Sequence, residues 1–82
     1  MIILDGKRMG DREALHAELK EKLGLPSYYG GNLDALNDCL GERREKALVV
    51  IRDFGDFAEG CGAYSMQLLR VLNDNGIQVI FD

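Results

Sequence analysis

Five consecutive apolar residues, Ala47-Leu48-Val49-Val50-Ile51, constrain this chain more than any other stretch. A continuous β-branched run of this length reads as a strand covered on both faces. Two more short apolar runs, residues 2–4 and 77–81, lie near the ends, and helical patterns fill both intervals. Helices between apolar strands imply crossovers, and crossovers imply strands that run parallel. The expected fold class is therefore α/β, a three-stranded parallel sheet flanked by helices. Eighty-two residues suit one domain, 1–82, with function carried on its surface because so short a chain has little interior to spare.

The helices announce their own ends. Asp11 is placed to cap a helix running to about Leu23, with Leu15, Leu19 and Leu23 as its buried stripe. Gly24 suits the left-handed position that closes it, and Pro26 prevents continuation. His16 lies beside the stripe and is expected at the surface or its boundary, without a catalytic role. Asn32 is a good N-cap for a second helix over 33–43. Leu33, Leu36 and Leu40 form its inner face with Cys39 beside them, while Asp34, Asn37 and Asp38 point away. Residues 53–62 read as loop, with room for one short helix started by Asp53 or Asp56. Tyr64, Leu68, Val71 and Leu72 mark a last helix to about Asp74, ended by Asn75-Gly76.

Charge narrows the function classes. The net charge is −4, from fourteen acidic and ten basic residues, which argues against direct nucleic-acid binding. Arg43-Arg44 and Lys46 form the nearest thing to a basic cluster. Glu42 and Glu45 interrupt it, and it reads as a solvated helix end where cations suit the macrodipole. No run approaches the roughly 20 apolar residues of a membrane span, and the first apolar run is too short for a signal peptide, so the expected compartment is the cytoplasm. Cys39 and Cys61 lack metal-ligand spacing and are expected as free thiols; no metal or cofactor is implied.

The stretch from Leu25 to Leu40 carries the most functional information. An aromatic, glycine-rich turn, Tyr28-Tyr29-Gly30-Gly31, feeds a helix bearing Asp34 and Asp38 one turn apart. Like charges at that spacing cost an isolated helix roughly 0.2–0.5 kcal/mol. Asp34 has a local reason to be there, since carboxylates favour a helix N-terminus; Asp38 has none. Ordinary solvated charges, with both tyrosines packed at the core margin, are one reading. Enzymatic use is disfavoured, because no nucleophile–base pair is present and a hard cation wants about six converging oxygens. Phosphate binding at the glycine turn lacks the Walker and dinucleotide patterns, and the aspartates would repel an anion. A protein-binding face is the third reading. Tyrosines offer rigid contact area, glycines allow close backbone approach, and the carboxylates suit a concave, cationic site such as that of a ribonuclease.

Leu25-Pro26, Tyr28-Tyr29-Gly30, Asn32-Leu33-Asp34-Ala35-Leu36 and Asp38-Cys39-Leu40 together resemble the signature of the barstar family, small intracellular inhibitors of microbial ribonucleases. The resemblance implies a three-stranded parallel sheet with flanking helices and a one-to-one complex with a cognate ribonuclease. It also implies a partner-binding face of Tyr28, Tyr29, Gly30, Asn32, Leu33, Asp34, Asn37, Asp38, Glu42 and Arg43. Asp38 would enter the nuclease's phosphate site, Asp34 would meet basic groups at its rim, Tyr28 would pack on a ring there, and Gly30 would make backbone contacts. The chain departs from the family's best-known member, which has tryptophans where Asn37 and Arg43 stand. An acidic contact residue of the last helix aligns with Val71, with Asn73 and Asp74 nearby. Ala47 replaces a family proline, so no cis bond is expected before it. These departures point to a different cognate nuclease. The alternative is a non-catalytic interaction or immunity module for a non-ribonuclease toxin.

Overall fold

The computed structural model describes residues 1–43 and 47–82. Arg44 and Lys46 of the basic cluster, and the peptide bond preceding Ala47, lie outside the described residues. In chain order the elements are β1 (Ile2–Asp5), a 3-10 turn (Gly6–Arg8), α1 (Arg12–Leu23), α2 (Leu33–Glu42), β2 (Leu48–Arg52), α3 (Phe54–Cys61), α4 (Ala63–Asp74) and β3 (Gln78–Phe81). The strands form one parallel sheet in the order β1-β2-β3, with Ile2, Val49 and Val79 in one row and Ile3, Val50 and Ile80 in the next. The α/β architecture with a three-stranded parallel sheet is thus the one expected.

The predicted caps are made. The Asp11 side chain accepts from the Ala14 N–H at 2.7 Å, and the Asn32 side chain accepts from the Ala35 N–H at 2.7 Å. Gly24 closes α1 in the left-handed region, at φ 64°. Leu15, Leu19 and Leu23 of α1, Leu36 and Leu40 of α2, and Leu68 and Leu72 of α4 meet Leu4, Val49 and Ile51 of the sheet in one core. Burying a leucine side chain contributes roughly 1.5–3 kcal/mol, so these aligned stripes supply most of the fold's cohesion.

Three expectations are corrected. β2 is covered on one face only: Val49 and Ile51 are buried, while Leu48 and Val50 are half-buried. Ile3 and Ile80, in register with Val50, are 43% and 45% exposed. Four helices concentrated on one side of a sheet leave its other side open, which a short apolar run cannot reveal. Residues 53–62 are mostly helix rather than loop, although the short helix allowed there does start from Asp53. Phe54, Phe57 and Cys61 recur at helical spacing, Phe57 is fully buried, and Phe54 stacks beside Phe57 and Phe81. Asp53 precedes this helix at φ 52° and makes no side-chain cap bond. His16 is buried rather than at the surface, because two tyrosine hydroxyls replace water at its ring nitrogens.

Another buried polar group lies two residues further along α1. Glu18 is 2% exposed, and its Oε2 accepts the Asp5 N–H at 2.9 Å, holding the end of β1 to the helix. Arg8 lies 3.8 Å from Glu18 Oε1 and supplies the compensating charge.

Candidate functional site

The turn that precedes α2 is fastened at several points. Pro26 ends the approach from α1, and its carbonyl accepts the Tyr29 N–H at 3.0 Å, making a tight bend. Lys20 Nζ donates to the Ser27 carbonyl at 3.3 Å, and the Leu25 N–H donates to the Lys20 carbonyl at 3.0 Å. Gly31 sits at φ 70°, a conformation few side-chain-bearing residues adopt, and so lets the chain swing into the Asn32 cap.

This frame sends the two tyrosines in opposite directions. Tyr28 is 83% exposed, whereas Tyr29 is half-buried with its hydroxyl 2.6 Å from His16 Nδ1. Burial raises the Tyr29 pKa well above its ordinary value, with nearby Tyr64 and Cys39 adding to the shift, so Tyr29 stays a neutral phenol. Packing at the core margin therefore describes Tyr29 and not Tyr28.

Asp34, Asn37, Asp38 and Glu42 are all exposed on α2. Asp34, Asp38 and Glu42 follow one another at four-residue steps, so three carboxylates form a ridge along the helix. Among the described residues, none of the three lies within ion-pair distance of a cation. A groove of about 290 Å³ runs between the turn and this ridge, lined by Tyr28, Tyr29, Gly30, Ala35, Asp38, Cys39 and Glu42. Its wall is aromatic on one side and acidic on the other. That arrangement suits a flat or ring-shaped cationic group entering from outside.

The remaining candidates are turned to structural contacts. The Asn32 side chain is committed to its cap, and Leu33 packs against the core. Asn37 Oδ1 accepts from Asn75 Nδ2 at 2.8 Å, which ties α2 to the end of α4. Arg43 is half-buried, and its Nη1 donates to the Leu23 carbonyl at 2.8 Å, so its charge serves the C-terminus of α1. Val71 is half-buried, and Asn73 and Asp74 are exposed at the end of α4. The sequence pattern did not find His16 and Tyr64, which stand behind the turn. Their signal is a contact across 48 residues that no local spacing displays.

No group of three or more His, Cys, Asp or Glu side chains among the described residues is placed to hold a metal ion. Both cysteines are free thiols. No helix among the described residues is long and apolar enough to cross a membrane.

The fold thus presents an acidic helix and an aromatic turn on one surface, and comparison with known proteins gives its family. The family model described as "Barstar (barnase inhibitor)" matches residues 1–79. A Bacillus subtilis (strain 168) protein named "Putative ribonuclease inhibitor YrdF" is 40% identical over 74 residues, covering 89% of this chain and 81% of its own length. The chain belongs to the barstar family.

Proposed function

We propose that this protein inhibits a microbial ribonuclease one-to-one, by placing α2 and the turn before it in the nuclease's cationic active site. The carrying observation is the groove where exposed Tyr28 and Gly30 face Asp38 and Glu42. Asp38 takes the position of a substrate phosphate and meets the basic groups that would otherwise bind RNA. Asp34 engages cations at the rim, and Tyr28 packs on a ring. The α2 ridge already carries its repulsion in the free protein, so a cationic partner relieves it on binding. The protein acts by occupying a site, without turnover, and without touching RNA. Its working place is the cytoplasm, where it protects the cell's own RNA.

Arg43 and Asn37, both held by internal hydrogen bonds, leave the carboxylates and Tyr28 as the main contacts. The test is a titration into a panel of microbial guanyl-preferring ribonucleases, following RNA cleavage, with Asp38→Ala alongside. Stoichiometric inhibition that disappears in the variant is the expected result. A partner captured without ribonuclease activity would instead favour an immunity module for another toxin, and RNA cleavage by the protein itself would overturn the reading.

A further inference from the structure

His16 spends both ring nitrogens on tyrosines that belong to different parts of the fold. Nδ1 is 2.6 Å from the hydroxyl of Tyr29 in the turn, and Nε2 is 2.7 Å from the hydroxyl of Tyr64 in α4. The imidazole is only 5% exposed. The Tyr29 hydroxyl also donates to the Asn32 carbonyl, at 3.5 Å. A phenol has a single proton; in the tautomer that gives it to the Asn32 carbonyl, Tyr29 accepts from His16. Nδ1 then carries the ring hydrogen, and Nε2 accepts from the Tyr64 hydroxyl. The neutral ring satisfies every member of this chain.

We propose that His16 is a positioning residue for the partner-binding turn: through Tyr29 it fixes where Tyr28 and Gly30 stand, so that the turn senses the charge on its ring. The proposal rests on the inhibitor reading only for the use of the turn; the coupling itself belongs to the free protein. A second ring proton would appear on Nε2 and confront the Tyr64 O–H, forcing that hydroxyl to turn its hydrogen away. The surroundings disfavour the extra charge. Arg12 lies 4.4 Å over the Tyr64 ring, and Lys20 lines the same groove as His16, with Glu13 the one carboxylate there. Cys39 from α2 lies near Tyr29, and Cys61 from α3 lies near Tyr64. Burial accordingly lowers the His16 pKa below 6.5.

The test is a proton NMR titration of the free protein from about pH 8 to about pH 5, reading the His16 ring and the amides of residues 28–31. The turn amides should share the His16 inflection in the wild type and lose it in Tyr29→Phe. Amide exchange in the turn of that variant should accelerate roughly five- to tenfold at neutral pH, as for the loss of one hydrogen bond. His16→Asn, whose amide reaches the Nδ1 position, should keep the turn slower to exchange than His16→Gln, whose amide reaches the Nε2 position. Turn amides that stay flat while His16 titrates, or Asn and Gln variants that behave alike, would overturn the positioning role. No partner enters these measurements. A flat turn alongside intact inhibition rejects this inference alone, and absent inhibition rejects only the functional reading.

Discussion

Tyr28 and Tyr29 are identical neighbours with opposite surroundings. One stands 83% exposed at the lip of an acidic groove, and the other turns inward to a histidine 13 residues earlier in the chain. The difference comes from the backbone around them. The Pro26–Tyr29 bend and the Gly31 swing aim consecutive side chains to opposite sides of the turn. The proposed partner surface is thus braced from behind by a histidine set inside the fold. Preorganisation of this kind saves the ordering cost that association otherwise incurs.

Substitutions can break the contrast or sharpen it. The largest expected effect is outside the pair. Asp38→Ala should weaken ribonuclease binding by about 2–5 kcal/mol, a scale drawn in part from a complex of this same family. Its melting temperature should hold or rise slightly, since about 0.2–0.5 kcal/mol of like-charge repulsion is relieved. Calorimetric binding and thermal melts read the two quantities separately, and a marked fall in melting temperature would make Asp38 structural. Tyr28→Ala should weaken binding by about 2 kcal/mol while leaving stability within about 0.5 kcal/mol.

Tyr29→Phe should do the reverse in chemical denaturation, costing about 1–3 kcal/mol because His16 Nδ1 loses its hydrogen-bond partner inside the protein. Equal stability losses in the two tyrosine variants would erase the contrast. The pH response follows from the lowered His16 pKa. The unfolded chain takes up the proton first, near 6.5, so His16 contributes its full stability above that pH. The contribution is lost as pH falls through 6.5 towards the folded value, and His16→Gln should remove that part of the slope. The smallest effect belongs to Asn37→Ala, about 0.5 kcal/mol in a denaturant melt, because its bond to Asn75 is exposed to water.

Local chemistry explains what the sequence could show. The Asn32 cap, the Leu33, Leu36 and Leu40 stripe, and the outward Asp34 and Asp38 are all set within one helix, so spacing alone displays them. The Leu15, Leu19 and Leu23 stripe was legible for the same reason. What spacing could not show is how distant segments meet. His16 looked like a boundary residue because its acceptor and donor arrive from residues 29 and 64. Ala47–Ile51 looked buried on both sides because a run of β-branched residues does not tell how many helices remain to cover it. α3 was obscured by Gly55 and Gly60, although Phe54, Phe57 and Cys61 carried its period. Gly60 is there for contact rather than for a loop, since a β-carbon would collide with the Gly10 carbonyl oxygen.

The one-sided sheet bears on how long a molecule of this kind survives. With Ile3 and Ile80 partly exposed on either side of half-buried Val50, apolar area on that face contributes less to folding than it could, and a short chain has little stability in reserve. Whatever binds the folded form adds to that reserve by mass action, in proportion to the logarithm of its concentration over its dissociation constant. Proteases act on the fraction that opens, so unoccupied copies should be cleared faster than occupied ones. The supply of the protein would then follow the amount of its partner without any dedicated control.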